Sequence, residues 1–301
     1  MFLALIVAFC WGANFTAVKF GLEHFPPYFM LALRFGLVAL LLIPYCLLKQ
    51  GKPSIRMLFA LKIAFILGTA HFALAFGAMW MGADIPTVVI TVQLGVPFSC
   101  MLSAIWFNDK LGAWRSFGLM VSFMGIILIA GTPNVVNNFI PFCMVLIAAL
   151  CWAFSNVMIK KEGAVNIFEM LGWMSLFAVP QLMVVSWVFE GTNQWNLLLT
   201  TTLPASLAIG FSSVFSTILA YGLWYYLLTR CEVSHIAPFN LLVPISAIGI
   251  GQIFYPVELT TQILSGGLIT IAGVAIIVAR RPRLAAIGKV GLRRKRIMDH
   301  K

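Results

Sequence analysis

Two carboxamides stand at matched places in this chain, each four residues ahead of a proline: Gln93 before Pro97 and Asn240 before Pro244. Proline inside a helix removes one backbone bond and crowds the carbonyl four residues earlier. The Gln93 and Asn240 carbonyls are therefore expected to leave the helix ladder. A freed carbonyl beside an amide side chain suits a polar ligand, while the same pattern also serves as a packing kink or as a hinge at Pro97 and Pro244. His71 can hold a ligand or carry a proton near neutral pH, or it can be a structural hydrogen-bonder. Arg34 can draw in a carboxylate, or it can extend its charged end outward. Asn14, and at the matching place later in the chain Ser155 and Asn156, can flank a cavity or can bond one helix to another for roughly 1 kcal/mol. Trp80, Tyr221 and Trp224 offer aromatic walls, the last two on one helical face; the competing use of such residues is an interfacial belt, to which Tyr225 and Tyr226 are assigned.

Of the nine acids, Glu23, Asp84, Asp109, Glu190 and Glu258 fall near helix ends or in loops. A cation pump normally needs a buried carboxylate, so these groups together suit a neutral or zwitterionic solute with an apolar part. Enzyme chemistry has little support. Gly210-Phe211-Ser212-Ser213 lacks the closing glycine of a nucleophile elbow, and no His-Glu-x-x-His motif occurs. No catalytic residue, metal ligand set or cofactor is expected. The six cysteines form no Cys-x-x-Cys pair, so neither a disulfide framework nor a zinc site is indicated.

The elements that must carry these groups follow from composition. Hydrophobic residues make up 61% of the 301 and charged residues 10%, with a mean hydropathy of +1.00. Soluble domains carry about 25% charged residues, so the bilayer is the solvent, and helices satisfy the backbone there. Charge-free runs long enough to cross are 63–83, 85–108, 170–189, 233–257 and 259–279. The run 116–159 divides at Thr132-Pro133-Asn134, the run 191–229 yields a helix from about Leu203, and two more helices lie near 3–18 and 28–48. The expectation is an all-α membrane protein of ten spans. The first span lacks a basic leader and a small-residue cleavage site, so it reads as retained.

The spans are written twice. Cys10-Trp11 with Lys19 recurs as Cys151-Trp152 with Lys160, Val96-Pro97 recurs as Val243-Pro244, and Gly118 with Gly125 recurs as Gly266 with Gly273. The expected units are a first repeat at 1–132, a second at 139–280, and a basic tail at 281–301. Five spans per repeat is an odd number, so the second unit must start on the opposite side and the repeats are expected to be inverted. Lys and Arg concentrate in the loops and tail that share a side with the N-terminus, which places both termini in the cytoplasm. The tail explains much of the net charge of +11 and is expected to touch anionic lipid rather than nucleic acid. Repeats of this kind place a binding site where they meet, and the paired glycines read as a packing seam.

With Trp11-Gly12-Ala13-Asn14-Phe15, Lys19, Pro26-Pro27, Leu33-Arg34-Phe35, Tyr221-Gly222-Leu223-Trp224, Ala237-Pro238 and Leu241-Leu242-Val243-Pro244, the chain resembles the EamA family of the drug/metabolite transporter superfamily, and within it the branch exporting O-acetylserine and cysteine. The resemblance implies a ten-helix inner-membrane exporter of small metabolites, often amino acids, with a central cavity between inverted five-helix repeats. Asn108-Asp109 and Pro256-Val257-Glu258 depart from the Gly-Glu pair often found after the fourth helix of each repeat. The expected mechanism is alternating access, with a monomer as the functional unit. Carriers of a drug, a quaternary amine or a nucleotide precursor are the alternatives, with a passive channel behind them.

Overall fold

A computed structural model describes residues 1–50, 53–107, 111–163, 165–230 and 237–279. The basic tail, Asn108, Asp109, Lys110 and Cys231 lie outside the described residues. Ten main helices carry the chain: α1 (Phe2–Leu22), α2 (Pro27–Gln50), α3 (Met57–Trp80), α4 (Ile85–Phe107), α5 (Ala113–Ala130), α6 (Phe139–Glu162), α7 (Ile167–Glu190), α8 (Leu203–Gly210 continuing through Ala220–Arg230), α9 (Ala237–Leu241 continuing through Leu242–Phe254) and α10 (Thr261–Ala279). Among the described residues nine of these are long and apolar enough to cross a membrane, and α9 is shorter. No strand occurs among the described residues.

Local chemistry sets the ends. Asp84 caps α4 by accepting from the Thr87 amide at 2.7 Å, with Pro86 in the first turn, where its missing N–H costs nothing. Asn166 caps α7 and Thr202 caps α8 in the same way. Gly163 and Gly191 follow α6 and α7 with φ of 91° and 89°, a backbone turn that a side chain would resist.

The two halves meet through helices that occupy matching places in them, and these run antiparallel. The start of α2 touches the end of α7, where Glu190 accepts from the Tyr28 amide at 2.6 Å and the Phe29 amide at 3.0 Å. Just past the other end of α2, buried Glu169 near the start of α7 accepts from the Ser54 amide at 2.5 Å and the Ile55 amide at 3.0 Å. Both carboxylates meet amides with no helical partner, where an anion is favoured. On the opposite flank α5 and α10 cross at their glycines. A Cβ on Gly125 would sit 2.5 Å from the Gly266 carbonyl oxygen, and one on Gly273 would sit 2.4 Å from the Ser122 amide nitrogen. The backbones themselves touch there, as small-residue seams permit.

Four helices are irregular inside the bundle. α3 is π-helical over Ala64–His71, and α8 is π-helical over Phe211–Leu219, the matching stretch. α4 breaks at Gln93-Leu94 and restarts at Gly95, while α9 opens with a 3₁₀ turn that holds Asn240. The Gln93 carbonyl is not released as the sequence led us to expect. It accepts from the Val96 amide at 3.1 Å, because the chain tightens to a three-residue turn before Pro97. Pro97 and Pro244 then fall in the first turn of the restarted helices, where proline is tolerated.

The seam yields a direct test. Gly273→Ala should lower the melting temperature of the purified protein, because overpacking against a rigid backbone costs about 1–3 kcal/mol. Gly249→Ala, whose Cβ would meet nothing within 4 Å, should leave it unchanged or raised. Equal behaviour of the two variants in a thermal unfolding series would refute the close approach.

Candidate functional site

A cavity of about 140 Å³ lies between the halves. From α1 come Trp11, Asn14 and Phe15, one face at helical spacing. Arg34 comes from α2, and His71 and Phe72 from the end of the π-helical stretch of α3. The break in α4 supplies Gln93 with Val92, Gly95 and Val96 around it. Trp152 enters from α6, Ser216 and Tyr221 from α8, and Asn240 and Val243 from α9. The lining is mostly apolar and aromatic with a few polar groups, the usual make-up of a small-molecule pocket.

Rings run through it in an unbroken series. His71 lies 4.7 Å from Phe72 and 5.2 Å from Trp152, centroid to centroid. Trp152 lies 6.3 Å from Tyr221, and Tyr221 lies 5.1 Å edge-on to Trp11. These spacings fall in the favourable range for aromatic pairs. The polar ends are tied to backbone. The Trp11 indole donates to the Ser216 carbonyl at 3.1 Å. His71 Nδ1 lies 2.8 Å from the Ala148 carbonyl, which only accepts, so Nδ1 carries a proton.

Arg34 is 1% exposed and does not extend outward. Its Nη2 and Nε donate to Thr217 Oγ1 at 2.9 and 3.3 Å. Thr217 Oγ1 itself donates to the Ser212 carbonyl at 2.8 Å, and Ser213 Oγ lies 3.0 Å from the Arg34 carbonyl. The π-helical stretch of α8 thus holds both the backbone and the head of Arg34. The guanidinium faces the Phe72 ring at 4.7 Å, a cation–π contact that helps a desolvated cation. Among the described residues no carboxylate pairs with it; the one ion pair there is Arg56 with Glu162.

Six of the residues singled out from sequence therefore meet in one place: Asn14, Arg34, His71, Gln93, Tyr221 and Asn240. Four others do not line it. Trp80 is 59% exposed at the end of α3. Trp224 packs behind the cavity on Trp11, at 5.7 Å, because one turn along α8 carries it past the lining. Ser155 is buried with its hydroxyl turned back to the Trp152 carbonyl at 2.7 Å. Asn156 donates to Ser99 Oγ on α4 at 3.1 Å. Trp11 and Trp152 line the site and were not assigned to it from sequence, although both already stood out as repeat landmarks. Phe72 and Ser216 carried no signal of their own.

A model of the EamA-like transporter family matches residues 1–131 and again 139–279. The chain belongs to the EamA-like transporter family. It is similar to a probable amino-acid metabolite efflux pump of Salmonella typhimurium, at 28% identity over 91% of this chain and 93% of that protein. An uncharacterized transporter of Archaeoglobus fulgidus shares 28% identity over 93% of this chain and 98% of its own length. A solved crystal structure superimposes with a TM-score of 0.61 at 13% identity, covering 98% of this chain and 97% of the other; that likeness speaks for the fold alone. This EamA-like protein is a multi-pass membrane transporter and not an enzyme.

The clasp on Arg34 is open to mutation. Thr217→Val keeps the shape of the side chain but removes the acceptor. Hydrogen bonds to charged groups contribute roughly 1.5–3 kcal/mol, so this variant should unfold at lower temperature, and the double variant Thr217→Val with Arg34→Leu should recover part of the loss. No recovery in the double variant would mean that Thr217 does not act through Arg34.

Proposed function

We propose that this protein is a secondary transporter of the bacterial inner membrane that exports small neutral or zwitterionic metabolites, amino acids and their derivatives foremost, by alternating access. Oppositely oriented five-helix units, 1–132 and 139–280, rock about the cavity, with both termini in the cytoplasm. The observation that carries this reading is the cavity itself. It is lined from both halves, and its amides Gln93 and Asn240 sit at the irregular points of α4 and α9. Broken helices at the junction of two repeats are where such carriers bind their solutes. The antiparallel pairing of α2 with α7 and of α5 with α10 is the geometry that inverted units require.

Cavity size supports a small solute. Sites for drug-sized ligands measure about 300–1,000 Å³, against about 140 Å³ here. Among the described residues no Asp or Glu lines the cavity, which disfavours a cationic drug or quaternary amine. The efflux pumps among the relatives support export, and O-acetylserine and cysteine are of suitable size. Contacts near one end of the bundle also suit a carrier caught in one state. The Tyr255 hydroxyl donates to Glu23 at 2.6 Å, and Phe20 packs on both Phe254 and Tyr255. These groups tie α1 to α9, and they must separate for that end to open. The functional unit is a monomer, and the basic tail rests on anionic lipid.

Counterflow in proteoliposomes tests the reading, run against a panel of small amino acids, O-acetylserine and bulky quaternary amines. Saturable counterflow of the small amino acids is expected. Gln93→Ala and Asn240→Ala should each weaken apparent affinity by about tenfold, the equivalent of one hydrogen bond near 1.4 kcal/mol. Inhibition by the bulky cations alone, or unchanged transport in both variants, would refute this assignment. Locating Asn193 on the same membrane face as residues beyond 280 by cysteine labelling would refute the inverted arrangement.

A further inference from the structure

Two buried polar atoms on residues that line the cavity have no partner, and they are of opposite kind. Arg34 spends its Nε and Nη2 on Thr217, which leaves Nη1 buried with no acceptor. Asn14 Oδ1 is an acceptor, equally buried, with no donor. Both residues are at least nine-tenths buried, and both line the cavity. A buried polar atom left unpaired costs about 1–3 kcal/mol, and more when it is charged. Natural structures keep few such atoms, and those few call for an explanation. A cationic donor and a neutral acceptor on the walls of one small cavity describe the complement of a particular ligand.

Resting on the carrier reading above, we infer that the cavity reads a free carboxylate with Arg34 Nη1 and an ammonium group with Asn14 Oδ1. The carboxylate is the obligatory group. It alone supplies the counter-charge that Arg34 lacks among the described residues, and charge-assisted bonds are roughly twice as strong as neutral ones. The ammonium is read more weakly. Asn14 offers it a neutral acceptor, and Trp11, one turn back on the same face of α1, offers a ring nearby. Among the described residues no carboxylate lines the cavity to hold a lone cation. The apolar body of the solute then lies against Trp152, Tyr221 and Phe72. The expected class is the α-amino acid with an uncharged side chain, bound in one orientation. Amino-acid amides and simple amines of the same shape are excluded.

Leucine and its truncated relatives separate these roles. Binding of L-leucine, 4-methylpentanoate (no amine), L-leucinamide (no carboxylate charge) and 3-methylbutylamine (no carboxylate) is measured on the purified full-length protein by quenching of tryptophan fluorescence, with counterflow in proteoliposomes alongside. Leucine should bind best. 4-Methylpentanoate should bind about tenfold more weakly, the loss of one modest hydrogen bond, and the amide and the amine should not bind. Asn14→Leu should weaken leucine about tenfold and leave 4-methylpentanoate unchanged, so that the second ligand certifies the fold of the variant. Arg34→Gln should abolish binding of both acids, and Arg34→Lys should retain part of it. Leucinamide binding as well as leucine overturns the inference, as does an Asn14→Leu variant that weakens both acids equally. Either result leaves the carrier reading standing. Failure of leucine and 4-methylpentanoate alike also overturns it, and the counterflow of other small solutes then decides the carrier reading separately.

Discussion

Inside a bilayer no water reaches the backbone, so any carbonyl that its own helix leaves unbonded must be met by a neighbouring group. The interior of this protein is organised around that constraint. Where α4 breaks, the Gln93 carbonyl takes the Val96 amide, and Ser99 turns its hydroxyl to the Gly95 carbonyl at 2.6 Å. At the matching place in α9, Ser246 Oγ lies 3.0 Å from the Leu242 carbonyl and equally 3.0 Å from the Ala8 carbonyl on α1. In the π-helical stretch of α8, Thr217 meets the carbonyl five residues back. Irregular backbone is tolerated because these hydroxyls stand beside it. Two of them also accept: Thr217 from Arg34, and Ser99 from Asn156.

The flanking pairs stay helical throughout, even across Pro44 in α2 and Pro180 in α7. α5 and α10 carry no cavity residue. Their glycines bring one backbone against the other, so this pair is a rigid strut. The α2 and α7 pair is fixed at both ends by carboxylates on backbone amides. Firm pairs at the periphery and broken helices at the centre confine the adaptable backbone to the site.

Much of this was legible in the residues. Composition and the spacing of charges gave the spans, and the recurring Cys-Trp, Val-Pro and Gly landmarks gave the duplication. The amides before the prolines pointed to the breaks. The π-helical stretches were not legible, because Ala64–His71 and Phe211–Leu219 are ordinary helical sequence. The extra residue per turn is stabilised by tertiary partners such as the Arg34 that Thr217 holds. Reasoning by symmetry placed Ser155 and Asn156 beside the cavity as counterparts of Asn14. It misled because related backbone positions do not oblige their side chains to point alike. A serine hydroxyl is short enough to close on its own helix, and Asn156 found Ser99. The two tryptophans were visible as landmarks, but their role needed the cavity wall to be seen.

A duplicated frame with a lining only partly duplicated has a consequence for recognition. If both halves offered the same groups, a solute could bind in either of two orientations, and an end-to-end exchange of the frame would leave its contacts unchanged. Here the arginine, the histidine and Asn14 come from the first half, and Ser216, Tyr221 and Asn240 from the second. Trp11 with Trp152 and Val96 with Val243 recur in both halves, and Gln93 and Asn240 are carboxamides at matched places. These pairs supply what is common to both orientations, while the unmatched polar groups break the tie. The asymmetry of this cavity arises from the residues that departed from the repeat, and its frame from those that kept it.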